Sequence, residues 1–190
     1  SISKTANKKG VFNVFEHNYY SNLGLPFEIN AKENSIYSPH AYDIFIDSPL
    51  YNKYSSENRM RCILREIRKN QLKMNVPVLF GEWGGAAPGH EWVSHIDFVM
   101  SEFEKYHWSN IYWEYNFKKD ELNNVFNRPY PVAVCGDIDE IKTDSTNRKF
   151  TLKWTCNKDF DNIKTEIYLP NNGIVTYENK MGENRIEIEY

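Results

Sequence analysis

Glu82 stands directly behind an apolar run, VPVLF at residues 76 to 80, and sits inside the glycine-flanked segment GEWGG at 81 to 85. Gly81 lets the backbone turn there, and a carboxylate at the end of an apolar strand is costly unless it is paired or used. The chemistry open to such a group is nucleophilic attack or proton transfer; the plainer use is a salt bridge to a neighbouring strand. His40 and Tyr42 lie two apart after the short strand candidate at Ser35 to Tyr37, so both side chains can face the same way. An imidazole and a phenol so placed can donate hydrogen bonds to a sugar hydroxyl and to a carboxylate, although a structural histidine with satisfied partners is the simpler use of His40. Trp113 in IYWEY can offer an indole face to the C–H face of a sugar ring. Glu16, Tyr19 and Tyr20 follow the apolar run VFNVF and are candidates to line the same cleft. Trp83 and Trp92 read as packing residues, and Glu114 points opposite to Trp113 if the strand continues.

The elements that must hold these groups follow from periodicity. VFNVF at 11 to 15 is rich in strand formers, and SIY at 35 to 37 is a short strand. From about Ser56 to Met74, Met60, Ile63, Leu64 and Ile67 recur at helical spacing behind a serine cap. VPVLF is apolar without alternation, as in a parallel strand covered on both faces, and Pro77 sits near its start, where proline is tolerated. A second amphipathic helix runs from Trp92 to about Tyr106, and a final strand spans 111 to 115. Strand, helix, strand, helix, strand is the alternation of an α/β protein with parallel strands. After Pro129 and Pro131 the helical period disappears. The runs VAVCGDI, KFTLKWTC, IKTEIYL, GIVTYE and RIEIEY, separated by turns such as Asn171-Asn172-Gly173, predict a small antiparallel sheet domain.

Composition narrows the partners. The 190 residues carry a net charge of -3, with basic residues scattered among acidic ones, which disfavours nucleic acid. No apolar run approaches the roughly 20 residues of a membrane span, and SISKTANKKG has no apolar signal segment. Cys62, Cys135 and Cys156 form an odd set without CxxC or a histidine at zinc spacing, so no metal site is expected. A bridge between Cys135 and Cys156 is open in an oxidising compartment, but free buried cysteines are the ordinary outcome.

YSPHAYD at 37 to 43, VPVLFGEWGG at 76 to 85 and IYWEYN at 111 to 116, in this order and spacing, together resemble glycoside hydrolase family 5. The nearest likeness is to its endoglycoceramidase branch, through Phe15-Glu16, Asn22 to Ile29 and RPYP at 128 to 131. The resemblance implies the C-terminal half of a (β/α)8 TIM barrel, strands five to eight, over residues 1 to 128, followed by a small antiparallel β-sandwich domain at 129 to 190. In such barrels the reacting groups project from the C-terminal strand ends. It further implies Glu82 as the nucleophile of a retaining β-glycosidase, His40 and Tyr42 as its hydrogen-bonding neighbours, and Trp113 as a platform for the sugar bound before the scissile bond. The role of Glu16 is open. No metal or organic cofactor is implied, and the implied substrate is a carbohydrate or glycolipid. The compartment implied is the cell exterior or one that is lysosome-like.

The family's Asn-Glu-Pro motif, which carries the general acid after strand four, does not occur in this chain. Only 24 positions separate Glu16 from His40, too few for another helix, strand and helix, so Glu16 belongs after strand five. The acid is expected upstream, together with strands one to four, and this chain is expected to be inactive without that upstream half. Three other readings stay open: a β-glucan endoglucanase of the same family, a non-catalytic carbohydrate- or lipid-binding barrel, and a half-barrel whose exposed edge strands serve interaction.

Overall fold

The computed structural model describes residues 8–27, 29–31, 33–46, 48–50, 54–85, 91–114, 123, 125–157 and 163–190, with the side chains of Tyr19, Glu91 and Trp92 outside that description. The chain forms two compact units, Ser1–Tyr115 and Asn116–Tyr190.

In the first unit, strands β1 (Asn13–Phe15), β2 (Ser35–Tyr37), β3 (His40–Ala41), β4 (Leu79–Gly84) and β5 (Ser109–Trp113) alternate with helices α1 (Glu57–Met74) and α2 (Glu91–Tyr106). Every pairing among these strands is parallel: β1 with β2, then β3 with β4 and β4 with β5, with Tyr37 bridged to Val78 between the two sets. This is the α/β architecture that the alternation of patterns predicts.

Helix α1 begins where the cap requires. The Ser56 hydroxyl accepts from the Arg59 N–H at 3.3 Å, and Asn75 closes the helix in the left-handed conformation at φ 52°. Met60, Ile63, Leu64, Ile67 and Met74 form its buried stripe. Asn70 lies within that stripe and is satisfied: its carbonyl accepts from the Phe27 N–H at 3.1 Å and its amide donates to the Leu25 carbonyl at 3.5 Å. A polar residue inside an apolar stripe thereby ties the loop after β1 to the helix. Beneath that loop, His17 stacks on Phe27 with centroids 4.4 Å apart, and its Nδ1 meets the Tyr37 hydroxyl at 3.0 Å. Burial pushes the Tyr37 phenol above its ordinary range and pulls His17 below its own. At neutral pH the pair is therefore a neutral phenol hydrogen-bonded to a neutral imidazole.

Two strand boundaries move from their sequence-predicted places. The strand expected at 76 to 80 runs from 79 to 84, because Pro77 has no N–H for a ladder. Its carbonyl accepts from the Tyr37 N–H at 3.0 Å instead. The last strand ends at Trp113, not at 115. Val11, Phe12 and Val14, beside or within β1, are exposed.

The second unit contains β6 (Tyr130–Ala133), β7 (Asp137–Asp144), β8 (Lys149–Cys156), β9 (Thr165–Leu169), β10 (Gly173–Tyr177) and β11 (Gly182–Glu189). They form two three-stranded antiparallel sheets, ordered β10-β9-β6 and β11-β8-β7. Alternation along β8 buries Phe150, Leu152, Trp154 and Cys156, which pack with Ile167 of β9, so the two sheets share one core. Cys62, Cys135 and Cys156 are all free thiols. The Cys135 thiol donates to the Lys164 carbonyl at 2.8 Å.

Two consequences can be measured by urea unfolding. Phe80 is fully buried against Phe103 and Trp108, at 4.5 and 5.2 Å between centroids; Phe80→Ala should cost about 3–5 kcal/mol. Leu72→Ala, at an exposed position of α1, should cost less than about 0.5 kcal/mol. His17 and His95 both have pKa values lowered by burial from 6.5. The unfolded chain then binds more protons, so stability is complete above pH 6.5 and falls as the pH drops through their folded values. Unfolding free energies should decrease on going from about pH 7.5 to 5.5, and less so in His95→Leu.

Candidate active site

A slip in register decides where Glu82 points. Along β4 and β5, Phe80 is opposite Asn110 and Trp83 is opposite Tyr112, so β4 spends three residues where β5 spends two. The extra residue is a bulge at Gly81–Glu82. In an unbroken strand, residues three apart face opposite sides. Here Phe80 and Trp83 are both buried, and both rings pack on Phe103 of α2, at 4.5 and 4.9 Å. The bulge therefore gives α2 two aromatics and leaves Glu82 half-buried on the other side. The Trp83 indole is fixed by donating to the Asn110 side-chain oxygen at 2.9 Å.

Glycine is required at the bulge for space. A Cβ on Gly81 would lie 2.5 Å from the Ser38 hydroxyl oxygen and 3.3 Å from His40 Nε2. Gly84 and Gly85 follow at φ 133° and 98°, conformations that L side chains avoid. Burial raises the Tyr112 phenol to about 12, and its hydroxyl donates to the Gly85 carbonyl at 3.4 Å. The Gly85 N–H donates to the Trp113 carbonyl at 3.2 Å.

Glu82, Glu16, His40 and Tyr42 share one cleft of about 330 Å³, whose wall also includes Asn22 and Asp43. His40 is in register with Glu82 across β3 and β4. The Tyr42 hydroxyl donates to Glu82 Oε1 at 2.7 Å, a charge-assisted hydrogen bond. His40 takes a different partner from the one the resemblance implies. Its Nε2 lies 2.9 Å from Glu16 Oε2, because the space left by the missing Gly81 side chain admits the ring, and the second carboxylate of the cleft offers it a charged acceptor.

The short 3-10 helix Asn18–Leu23 holds β3 from beside it. Ser21 accepts from the His40 N–H at 3.2 Å, and Asn22 accepts from the Tyr42 N–H at 3.1 Å. Ser21, Asn22, Ser38 and Asp43 are thus the site residues that spacing alone does not single out. Asn22, Ser38 and Asp43 do lie inside the blocks that carry the family resemblance, and the density of small polar residues there is their only signal. Trp113 is not brought into this cleft wall: it ends β5, opposite Gly84, and is 59% exposed. The side chain of Tyr19 lies outside the described residues. Among the described residues, no group of His, Cys, Asp and Glu is arranged to hold a metal ion, and no helix is long and apolar enough to cross a membrane.

The chain matches no curated protein sequence. Among solved structures it is similar to endo-glycoceramidase II from Rhodococcus sp. in its ganglioside GM3 complex, at 17% identity and a TM-score of 0.77, covering 93% of this chain and 49% of that one. The same enzyme's lactosyl-enzyme intermediate gives 18% identity and a TM-score of 0.72, covering 93% and 48%. Cryptococcus neoformans sterylglucosidase 1 is similar at 16% identity and a TM-score of 0.56, covering 81% and 38%. The chain thus spans about half the length of the endo-glycoceramidase structures it matches, and at these identities the likeness speaks for the fold. Residues 128–187 match the glycoside hydrolase family 5 C-terminal domain. Residues 7–119, more than half of the chain, match the cellulase family, glycosyl hydrolase family 5. With the parallel strands, the bulged Glu82 and the Tyr42 hydrogen bond in place, these matches show that the chain belongs to glycoside hydrolase family 5.

Proposed function

We propose that this chain is the C-terminal part of a retaining β-glycosidase in which Glu82 is the nucleophile. The observation that carries the reading is the 2.7 Å hydrogen bond from Tyr42 to Glu82 at the wall of a polar cleft. That bond leaves the other carboxylate oxygen to attack and orients it. In the first step a Glu82 oxygen bonds to the anomeric carbon, the glycosidic C–O bond breaks with its electron pair leaving on the aglycone oxygen, and that oxygen takes a proton from a carboxylic acid. This acid lies in the upstream half of the barrel. Water then displaces Glu82 from the anomeric carbon, giving its proton back to the same acid. Retention requires the two carboxyl groups to stand roughly 5 to 5.5 Å apart.

In this reading β1, β2 with β3, β4 and β5 are strands five to eight of a (β/α)8 barrel over residues 1 to 128. Residues 129 to 190 form a β-sandwich domain. His40 orients Glu16, and the pair is a sugar-hydroxyl clamp, since an imidazole and a carboxylate in contact offer a donor and an acceptor side by side. Trp113 becomes a sugar platform once the upstream half closes the cleft over it. The substrate is a glycolipid. A second, mainly apolar groove of about 390 Å³ is lined by Leu23, Gly24, Ile44, Cys62 and Ile63, among others. It shares Asn22, Leu23 and Ile44 with the polar cleft, so an alkyl aglycone can leave the cleft directly into it.

The nucleophile is tested with a 2-deoxy-2-fluoro-β-glucosyl fluoride, whose activated leaving group bypasses the upstream acid. Peptide mass spectrometry of the chain combined with its upstream half should find the glycosyl adduct on the peptide bearing Glu82. Tyr42→Phe should slow labelling by roughly ten- to a hundredfold, the value of about 1.5–3 kcal/mol for a hydrogen bond to a charged group. A folded protein that never forms the adduct would replace this reading with that of a non-catalytic binding barrel.

The groove is tested through Cys62, which is exposed while Cys135 and Cys156 are buried. A long-chain alkyl β-glucoside below its micelle concentration should slow maleimide labelling of Cys62 at least about fivefold at saturation. Methyl β-glucoside should not slow it. Equal protection by both, or by neither, would point to a glycan substrate such as a β-glucan.

A further inference from the structure

We infer that the buried Asp43 and the partly exposed Arg59 form a positioning pair that sets the Tyr42 hydroxyl against Glu82. The inference rests on the reading of Tyr42 and Glu82 given above, and it assigns a task to two residues outside the reacting groups.

The Asp43 side chain is fully buried, and each of its oxygens is saturated. Oδ1 accepts from the Phe45 N–H at 3.0 Å and from Arg59 Nη2 at 3.0 Å. Oδ2 accepts from the Ser56 N–H at 3.1 Å, from Arg59 Nε at 3.2 Å and from Arg59 Nη2 at 2.9 Å. A carboxylate removed from water is retained only with this kind of compensation. Arg59 is itself fixed from several sides. It lies in the first turn of α1, its guanidinium sits over the Phe45 ring at 5.0 Å, and it donates to the Tyr54 carbonyl. One ion pair therefore fastens both ends of the connection from β3 to α1 to the same helical turn.

Tyr42 is the residue immediately before Asp43. Its N–H is held by Asn22 at 3.1 Å, and its C-terminal side is held by Asp43. With its backbone clamped on both sides, Tyr42 presents its phenol from a fixed position, from which it meets Glu82 Oε1 at 2.7 Å. The same connection carries Ile44 and Ile46 into the cleft wall. Ile46 packs so closely on the backbone of Gly85 that a Cβ there would lie 1.6 Å from its Cδ1. Releasing Arg59 thus frees Tyr42 and the wall together. A structural ion pair with no such task would change stability and leave the phenol in place.

The experiment uses the full-length protein with 3-fluorotyrosine at position 42, read by fluorine NMR, together with the labelling rate at Glu82. Arg59→Met should move the fluorine resonance toward the value seen in Glu82→Leu, where the phenol has no carboxylate to meet. Because Arg59→Met leaves a buried charge unpaired, the neutral double variant Asp43→Asn/Arg59→Met provides the folded comparison and should move it likewise. Arg59→Met should slow glycosylation of Glu82 about tenfold when Tyr42 is present and less than about twofold in a Tyr42→Phe background. Losses that multiply in the two backgrounds, or a resonance unmoved in both Arg59 variants, overturn the inference. If Glu82 is never labelled, the glycosidase reading fails, and the fluorine resonance alone still decides whether Asp43 and Arg59 position Tyr42.

Discussion

The one extra residue in β4 is the constraint on which the site depends. Parallel strands fix a period of two, so the face of Glu82 is tied to the faces of Phe80 and Trp83. The helix α2 needs both aromatics against Phe103, and the cleft needs the carboxylate on the opposite side. No regular strand satisfies both demands. The bulge at Gly81–Glu82 does, and it demands a residue without a side chain where Ser38 and His40 press on the backbone. Core packing and the placement of the Glu82 carboxylate are therefore one problem with one solution. A substitution at Gly81 disturbs both at once.

The parts of this arrangement that the sequence displays are those with a period. Helix α1 was readable from Met60, Ile63, Leu64 and Ile67 with a serine before them, and the structure places its cap at Ser56. The alternation of strand and helix, and the change to short strands after Pro131, were likewise visible. The boundaries of β4 were not, because apolarity marks VPVLF as the strand while hydrogen bonding starts only after the missing N–H of Pro77. Nor was the bulge, since a two-against-one pairing depends on the neighbour's register and leaves no mark in the strand's own sequence. His40 and Tyr42 were legible as a pair by their spacing. The partner of His40 was not, because Glu16 lies 24 residues away and meets it only through the order of the strands.

The groups around the Glu82 carboxylate also show what a period cannot report. Ser21, Asn22 and Asp43 do their work from loops or helix ends, each by accepting backbone N–H groups that have no sheet partner. Buried N–H groups must be satisfied. A strand of only two residues, such as β3, leaves several open, so side-chain acceptors take the place of a longer ladder. The shortness of β3 is thus met by small polar residues around the site, which accept from the backbone N–H groups of His40 and Tyr42.

Two carboxylates in one cleft would repel each other at short range, and the strand between them addresses this. His40 opens β3 and Tyr42 follows directly after its end, two residues on and about 6.6 Å along an extended chain, and each serves a different acid: the imidazole meets Glu16 and the phenol meets Glu82. The donors differ in kind as well as place. The imidazole can carry a full charge to its acid. The phenol offers a neutral O–H, so Glu82 is oriented by a donor that brings no charge of its own. The order histidine then tyrosine therefore decides which of the two carboxylates meets the donor that can be charged and which meets the one that is neutral.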